Sequence, residues 1–395
     1  MHSIVDRGTP PTARALLLGV LLFALSGCSA PASAPATSTG TSNTGSPAGG
    51  ATSAAAPTAA SGPLQALIDG ARQEGQLTLI WGENTAGGEV GARKWADGFN
   101  KMYGLNVDVR FTPGPSMPEV AAKVAQEGQA GRAASTDILI GSEAHIASMI
   151  QVDALLPVDW ASWAPNIQDP RLIAPGGVAV QLASRVIGIT YNSDRVRGDD
   201  VPTSLQDVLK PQYKGRIAST PYAANFDRLA SPELWGEQRT VDYVTKLADQ
   251  TAGLMRCGEV NRILSGEFDM LVTDCGSYDA HRMQAQGAPL GHVIPSDAAE
   301  IAYWYLGVPR NAAHPNAAKL WINYVMSREG QDVLYGEDFT DHYLVPGSHT
   351  AAEVETQQAK GVKFAQIDVQ FVQRNDEKDL SRIRDELQNI LQHKK

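Results

Sequence analysis

The spacing of apolar positions changes repeatedly between residues 63 and 391, and each change predicts a new element of secondary structure. Short apolar runs, such as Gln76 to Trp81 and Asn106 to Phe111, predict strands. Apolar residues three and four positions apart, as in Pro63 to Gln73, predict helices. Strands are also predicted at 137–140, 186–191, 253–256, 269–273 and 301–308, and helices around 95–102, from 118, from 143, at 259–264, from 315 and at 380–391.

Strands that alternate with helices at this spacing predict the α/β class, with a mostly parallel sheet covered on both faces. The alternation continues through 200–290, which indicates a second α/β domain. In such sheets ligands bind beyond the carboxyl ends of the strands, where loops meet the first turns of helices. The candidate binding residues are therefore sought in those loops.

A short apolar stretch at the N-terminus, Ala15 to Leu25, follows Arg7 and Arg14 and predicts a signal peptide over residues 1–27. It is shorter than the roughly 20 apolar residues that cross a bilayer. Leu25-Ser26-Gly27-Cys28 resembles the lipobox of bacterial lipoproteins, which implies lipid on Cys28 and anchoring to the outer side of the cell membrane. The alternative is an ordinary secreted protein with a chance cysteine near its cleavage site.

A polar segment separates Cys28 from the first predicted helix. Residues 29–62 are Ala, Pro, Ser, Thr and Gly apart from Asn43, so they bury too little apolar surface to offset the entropy of ordering. We predict a disordered tether over 28–62, which is also compatible with a glycosylated stalk. The remaining 330 or so residues are enough for two domains.

Charge narrows the range of partners. The formal net charge is −10, and it becomes −11 once residues 1–27, with two Arg and one Asp, are removed. Nucleic-acid binding relies on clustered Lys and Arg, so no nucleic-acid partner is expected.

The two cysteines beyond Cys28 form an even pair in an oxidising compartment. Cys257 and Cys275 each follow a predicted strand, and strands that are neighbours in a sheet end about 4.8 Å apart. If the two strands are adjacent, the cysteines are within reach of a disulfide. Two free thiols are the alternative.

Four segments resemble solute-binding proteins of ABC importers, in the branch of ferric-iron, thiamine and polyamine binders. They are 189–194 (ITYNSD), 201–218 (VPTSLQDVLKPQYKGRIA), 264–272 (LSGEFDMLV) and 312–331 (AAHPNAAKLWINYVMSREGQ). The resemblance runs from about 64 to 390 and implies the type II periplasmic-binding-protein fold, in which two α/β domains joined by two hinge strands close over a ligand. It implies a first domain from 63–188 plus 296–395 and a second from 189–295.

The resemblance also implies a ligand cleft between the domains, for which polar and aromatic side chains are available. The candidates are Asn84, Thr85, Ser116, Ser142, Glu143, Thr220, Tyr222, Asn225, Arg256, Asp274, Tyr278 and Trp304. Several have simpler interpretations: Asn84, Thr85 and Ser142 suit turns or helix caps, and either Tyr303 or Trp304 should face the core, because the two alternate along a strand.

The sign of the ligand's charge stays open at this stage. Arg256 favours a carboxylate or phosphonate if it is unpaired, although Glu259 or Asp274 could neutralise it. Glu83, Glu143 and Asp274 favour a cation such as a polyamine or thiamine instead.

Ferric iron is expected to be a weaker candidate than an organic ligand. The iron binders resemble each other in using adjacent tyrosines, and the matching position here holds Cys275-Gly276, with Tyr278 nearby. Asn84 stands where a histidine is frequent, and the acidic ligand falls at Ser142 or Glu143. An incomplete oxygen shell binds a hard cation poorly, so no metal or other cofactor is expected.

An enzyme is a minor alternative, because the chain contains none of the H-E-x-x-H, G-x-S-x-G, P-loop or G-x-G-x-x-G motifs. The expected function is capture of a small solute and its delivery to the permease and ATPase subunits of an ABC importer, by a monomer. The same residues would also suit a ferric-iron-binding protein of this fold, or a ligand-binding partner of a membrane sensor.

Overall fold

The structure, a computed structural model, describes residues 62–83 and 85–393. The predictions for the signal peptide, for Cys28, for the tether up to residue 61 and for Asn84 concern positions outside that part. In the described part, no helix combines the length and the apolar character needed to cross a membrane.

The described chain alternates between helices and strands, which confirms the α/β class. The helices are α1 Gly62–Glu74, α2 Gly88–Tyr103, α3 Met117–Gln129, α4 Glu143–Gln151, α5 Phe226–Leu229, α6 Glu237–Gln250, α7 Asn261–Leu264, α8 Tyr278–Ala285, α9 Pro315–Val325, α10 Arg328–Asp338, α11 His349–Ala359, α12 Val369–Arg374 and α13 Glu377–Gln392. The strands are β1 Gln76–Gly82, β2 Asp108–Gly114, β3 Leu139–Ser142, β4 Ala179–Ile187, β5 Ile189–Asn192, β6 Ile217–Ser219, β7 Thr251–Leu254, β8 Met270–Val272, β9 Leu290–Val293, β10 Glu300–Gly307 and β11 Ala365–Ile367.

The first half of the fold is built on β1–β4, β10 and β11, which form two groups of paired strands. β1 and β2 pair in parallel from Gln76↔Asp108 to Gly82↔Gly114. β10 is the centre of a four-stranded sheet, with β4 antiparallel along one edge and β3 and β11 sharing the other edge.

The second half of the fold is built on β5–β9, which form one five-stranded sheet with the order β7-β6-β8-β5-β9. β6 is parallel to both of its neighbours, whereas β5 is antiparallel to β8 and β9. The prediction of mostly parallel sheets is therefore wrong. The reason is that the chain enters the second half along β4 and β5 and returns along β9 and β10, so the paired strands run in opposite directions.

The passage between the two halves is narrow. β4 leads to β5 through Gly188 alone, so the single strand predicted over 186–191 is two strands, and the return runs through 294–299. A Cβ atom on Gly188 would lie 2.4 Å from both Nε2 of His292 and the carbonyl oxygen of Val293. Glycine at this position therefore lets the two crossing segments pass in contact.

The core of the first half is rich in aromatic side chains. Trp81 and Trp321 each make an edge-to-face contact with Trp95, with ring centres 6.4 and 6.1 Å apart. Pro315 lies in the first turn of α9, as predicted. The apolar spacing that predicts a helix from 315 corresponds to its inner face, since Leu320, Trp321, Tyr324 and Val325 are fully buried.

The terminal helix α13 packs on the second half. Its apolar stripe is confirmed, and Ile383, Leu387 and Leu391 join the core around the second sheet, while Ile390 is partly exposed. Arg384 pairs with Asp227 of α5 at 2.6 Å. We therefore propose the sequence-derived domain limits with one change, which assigns 377–393 to the second domain.

Candidate functional site

A cavity of about 350 Å³ is lined by residues from both halves of the fold. The first half contributes Gly82, Glu83, Thr85, Ala86, Met117, Ile140, Leu182, Ala183, Trp304, Leu334, Asp338 and Thr340. The second half contributes Cys257, Gly258, Tyr278, Asp279 and Arg282. A small molecule held here would contact both halves at once.

Another cavity, of about 270 Å³, lies beside Tyr303 and Tyr305. Its lining comes from the first half alone, at 170–181, 303–305, 343–344 and 366–370. A ligand there would not bridge the halves, so the cavity that includes Trp304 is the stronger candidate for a cleft.

Of the predicted binding residues that the structure describes, Thr85, Tyr278 and Trp304 line the cleft cavity. Trp304 is partly exposed, whereas its neighbour Tyr303 is buried and stacks on His342 with ring centres 5.6 Å apart. The prediction that one of the two aromatic residues faces the core is confirmed. The guanidinium of Arg185 lies 4.4 Å from the centre of the Trp304 ring, a cation–π contact.

Glu143 lies beneath this wall rather than in the cavity lining. It has no exposed surface, and its carboxylate pairs with Arg185 at 3.3 Å and with Arg228. Burial opposes its ionisation, but the charges of Arg228 and Arg185 outweigh burial and lower the pKa of Glu143. Because its charge is already neutralised, Glu143 adds little negative charge to the cavity.

Glu143 begins α4, and its neighbour Ser142 occupies the predicted N-cap position. The backbone N–H of Ser142 donates to Nδ1 of His145 at 3.1 Å. Ser142 is partly exposed, and its position as the helix cap explains why a serine is found there without a contact to a ligand.

Asp274 is also buried, at the passage between the halves. Its carboxylate accepts hydrogen bonds from the backbone of Gly188 at 3.0 Å and from the hydroxyl of Thr190 at 2.7 Å, and it lies 3.1 Å from His292. Burial disfavours its charge, but the positive His292 outweighs this and lowers the pKa of Asp274. The same pairing raises the pKa of His292 to about 10 against the effect of burial. Asp274 therefore holds the crossing strands together.

Three further candidates, Thr220, Tyr222 and Asn225, lie in the loop between β6 and α5, and none of them lines the cavity. Asn225 is buried and its amide donates to the carbonyl of Asp274 at 2.7 Å. Thr220 is buried and its hydroxyl accepts the N–H of Ala224 at 2.8 Å. The hydroxyl of Tyr222 accepts the N–H of Cys257 at 2.8 Å, beside the cavity.

Ser116 and Arg256 are exposed and are not part of the cavity lining. Ser116 caps α3 together with Glu119. The carboxylate of Glu259 accepts the backbone N–H of Arg256 at 3.0 Å and pairs with the guanidinium of Arg262 at 3.1 Å, so this contact is not the predicted neutralisation of the Arg256 side chain.

Cys257 and Cys275 form a disulfide with a Cα–Cα distance of 6.0 Å. The geometric argument for it is wrong, because β7 and β8 are not adjacent and β6 lies between them. Each cysteine lies three residues beyond its strand, and the two loops converge over the end of β6. The bond fixes the loop that brings Cys257 and Gly258 to the cavity.

Three charged residues of the cavity were missed by sequence reasoning. Asp279 and Arg282 form an ion pair on α8, and Asp338 is the last residue of α10. Burial raises the pKa of Asp279, and it raises the pKa of Asp338 to about 6. Asp279 follows the predicted Tyr278 directly, but no local signal in the sequence indicates that the end of α10 faces the cavity.

Comparison with known proteins adds the family. The sequence profile of the bacterial extracellular solute-binding protein family matches residues 134–375. An Fe(3+)-binding periplasmic protein of Serratia marcescens is 26% identical over 260 residues, which cover 61% of this chain and 72% of that protein.

Solved structures share the fold at low sequence identity. The periplasmic binding protein AfuA from Actinobacillus pleuropneumoniae, with fructose-6-phosphate bound, aligns with a TM-score of 0.60 and 18% identity over 80% of this chain and 99% of that one. The spermidine/putrescine ABC transporter substrate-binding protein PotD from Streptococcus pneumoniae aligns with a TM-score of 0.54 and 19% identity over 79% and 99%. The fold is therefore that of the two-domain type II periplasmic binding proteins, as the sequence predicted.

Proposed function

The chain belongs to the bacterial extracellular solute-binding protein family, and we propose that it captures a small organic solute between its two domains and delivers it to an ABC importer. The observation that carries the proposal is the cavity of about 350 Å³ with lining from both halves of the fold. A ligand that contacts both domains at once favours the closed arrangement over the open one. Hinge motion at Gly188 and at 294–299 would connect the two arrangements.

An organic ligand is supported by the chemistry of the cavity wall. Met117, Ile140, Leu182, Leu334 and the indole of Trp304 present apolar and aromatic surface. Small-molecule sites combine such surface with a few polar groups that fix the orientation of the ligand.

Ferric iron is the second candidate, because the Serratia marcescens relative is described as an Fe(3+)-binding protein. The donor set argues against it. Glu143, at the expected position of an acidic ligand, is neutralised by two arginines, and the hydroxyl of Tyr222 accepts a backbone N–H. Burial raises the pKa of Tyr278, which opposes the tyrosinate form that ferric iron requires.

Cys28 concerns the location of the protein in the cell. We propose that lipid on Cys28 holds a monomer at the outer side of the cell membrane, close to the permease. Delivery to a membrane sensor would use the same cleft. Identification of the membrane protein that binds this chain would therefore distinguish an importer from a sensor.

The test is ligand-induced closure without chemical change. Purified protein is mixed with the small-molecule fraction of yeast extract, and small-angle X-ray scattering is measured before and after. We expect the radius of gyration to fall, and mass spectrometry of the released ligand to show the same compound that was taken up. Conversion of the compound to a product would contradict the proposal in favour of an enzyme.

A matched pair of variants ties closure to the cavity. Trp304→Ala removes the aromatic wall and should abolish the change in radius. Phe111→Ala removes a partly exposed aromatic ring of β2, which lies outside the cavity, and should leave the change intact. Equal behaviour of the two variants would show that ligand binds elsewhere. An absorbance band from tyrosinate after addition of ferric citrate would reverse the preference for an organic ligand.

A further inference from the structure

We propose that the captured solute is an organic cation, whose charged group is bound by Asp338 and whose carbon skeleton lies against Trp304. The proposal rests on the proposed function, since it concerns the ligand of the same cavity. It fixes the sign of the ligand's charge, which the sequence leaves open.

Acidic side chains outnumber basic ones in the described lining of the cavity. Glu83, Asp279 and Asp338 are acidic, and Arg282 is the basic residue. Arg282 is paired with Asp279, so their charges cancel. Glu83 and Asp338 then leave the cavity with a net negative charge.

Glu83 is exposed, so Asp338 is the partly buried carboxylate of the described lining that has no ion-pair partner. Its carboxylate accepts the backbone N–H of Ala86, and it has no ion-pair partner within 4 Å among the residues that the structure describes. Burial raises its pKa to about 6, an effect that Asp279 adds to and Arg282 opposes. Asp338 is half-buried, and a partly desolvated charge without a partner is unfavourable, so a cationic group bound beside it would be favoured.

The position of Asp338 in its helix strengthens the argument. It is the last residue of α10, and the free carbonyl groups at the end of a helix carry partial negative charge. An acidic side chain is unfavourable there, whereas a cation is favourable. The carboxylate and the helix end therefore act in the same direction on a ligand.

The aromatic wall is compatible with the same ligand class. Trp304 lines the cavity and is partly exposed, and its ring already contacts the guanidinium of Arg185 at 4.4 Å. Indole rings attract alkylammonium and other organic cations through their electron-rich faces. A small metal ion would make no use of this surface.

Fractionation of a mixed solute pool tests the charge of the ligand. The small-molecule fraction of yeast extract is separated at pH 7 into a cation-exchange-bound fraction, an anion-exchange-bound fraction and the unbound remainder. Thermal shift of the purified chain is measured with each fraction, and with thiamine and spermidine as single probes. We expect the cation-exchange-bound fraction to raise the melting temperature.

The result separates the two proposals. A shift produced only by the anion-exchange-bound or unbound fraction would overturn the cationic ligand and leave capture of an organic solute standing. Absence of a shift with all three fractions would count against capture itself.

Variants of two neighbouring acids connect the effect to Asp338. Asp338→Asn should weaken binding of the active compound, measured by calorimetry, by at least about tenfold. Glu337→Gln is the control, because Glu337 pairs with Lys94 outside the cavity, and it should change the affinity less than about twofold. Equal loss in both variants would show a general effect of charge rather than contact with Asp338.

The pH dependence supplies an independent readout. The groups that face Asp338 are Asp279, Arg282 and Tyr278 on α8 and Glu83 in the loop before α2. Since a cation needs the ionised carboxylate, affinity should fall about tenfold from pH 7 to pH 5, for a pKa of about 6. The fall should be absent in Asp338→Asn, and its persistence there would contradict the assignment.

Discussion

The buried carboxylate of Glu143 lies between two arginines from different parts of the chain. Arg185 belongs to β4 of the first half, and Arg228 belongs to α5 of the second half. The carboxylate of Glu143 therefore links the two halves below the cavity, and Asp227 supplies a second carboxylate to Arg228 at 3.1 Å.

Removal of this charge should destabilise the protein strongly. Glu143→Gln would leave the buried Arg185 without its charged partner and Arg228 with Asp227 alone, so we expect the free energy of unfolding in urea to fall by about 3–5 kcal/mol. Glu89→Gln breaks the exposed pair with Arg93 and should change stability by less than about 1 kcal/mol. A similar small loss in both variants would show that the two arginines find other partners.

Glu300 should make stability depend on pH. It is buried, one of its oxygens has no hydrogen-bond partner in the described structure, and burial raises its pKa from 4.5 to about 8. Between these two values the folded protein holds a proton that the unfolded chain has released. The contribution of Glu300 to stability therefore falls as the pH rises from 4.5 to 8.

Urea titrations at pH 5 and pH 8 test this sign. The difference in stability between the two pH values should be smaller in Glu300→Gln than in the parent chain, because glutamine stays neutral at both. An unchanged difference would show that Glu300 does not titrate in this window.

Among the elements of the fold, the passage at Gly188 is the most constrained by packing. Gly188→Ala would bring a Cβ within 2.4 Å of His292 and Val293, so we expect a loss of about 1–3 kcal/mol and a weaker ligand affinity, since the hinge must deform.

Gly336→Ala is the matched control for the same substitution. Gly336 lies within α10 and has no atom within 4 Å of an added Cβ, so alanine should leave stability unchanged or raise it by up to about 1 kcal/mol. Urea unfolding measures both variants. Equal effects would show that the contact at the passage is relieved by a small shift of the backbone.

Elements with a strong local pattern were predictable from the sequence. The buried face of α9 and the stripe of α13 follow from apolar spacing, and β1 and β10 follow from continuous apolar runs. The split of 186–191 was not predictable, because β4 and β5 join different sheets on either side of Gly188, and distant segments determine that pairing. The order of the strands in the second sheet was not predictable either. The disulfide was therefore predicted on the assumption that β7 and β8 are neighbours, whereas β6 lies between them.

The candidate site was predictable only where residues follow strand ends. Thr85, Tyr278 and Trp304 were found in this way. Glu143 and Asp274 also follow strand ends, but their partners Arg228 and His292 come from distant segments and neutralise them. Asp338 was not predictable, because its place in the cavity lining depends on how α10 packs and not on a local sequence pattern.

For the molecule as a whole, the proposed lipid on Cys28 would hold the cleft at the membrane. In a bacterial host we expect the parent chain to sediment with membranes and Cys28→Ser to be released into the soluble or secreted fraction. Immunoblotting of the fractions measures this, and ligand affinity of the released variant should be unchanged. Membrane retention of Cys28→Ser would contradict anchoring by lipid.

The packing of α13 on the second half means that the polypeptide passes between the halves a third time. Residues before α13 are held on both sides of this passage, since Phe371 is buried with Ile367 of the first half, while Arg374 pairs with Glu233 at 3.1 Å and Asn375 accepts from Ser231 at 2.7 Å. The two connections at Gly188 and 294–299 alone would allow one domain both to bend and to twist relative to the other. A third connection adds resistance to torsion, so bending should be the easier movement. We therefore expect the domains to open and close about one axis. The same residues of the two cleft walls should then face each other in every closed molecule.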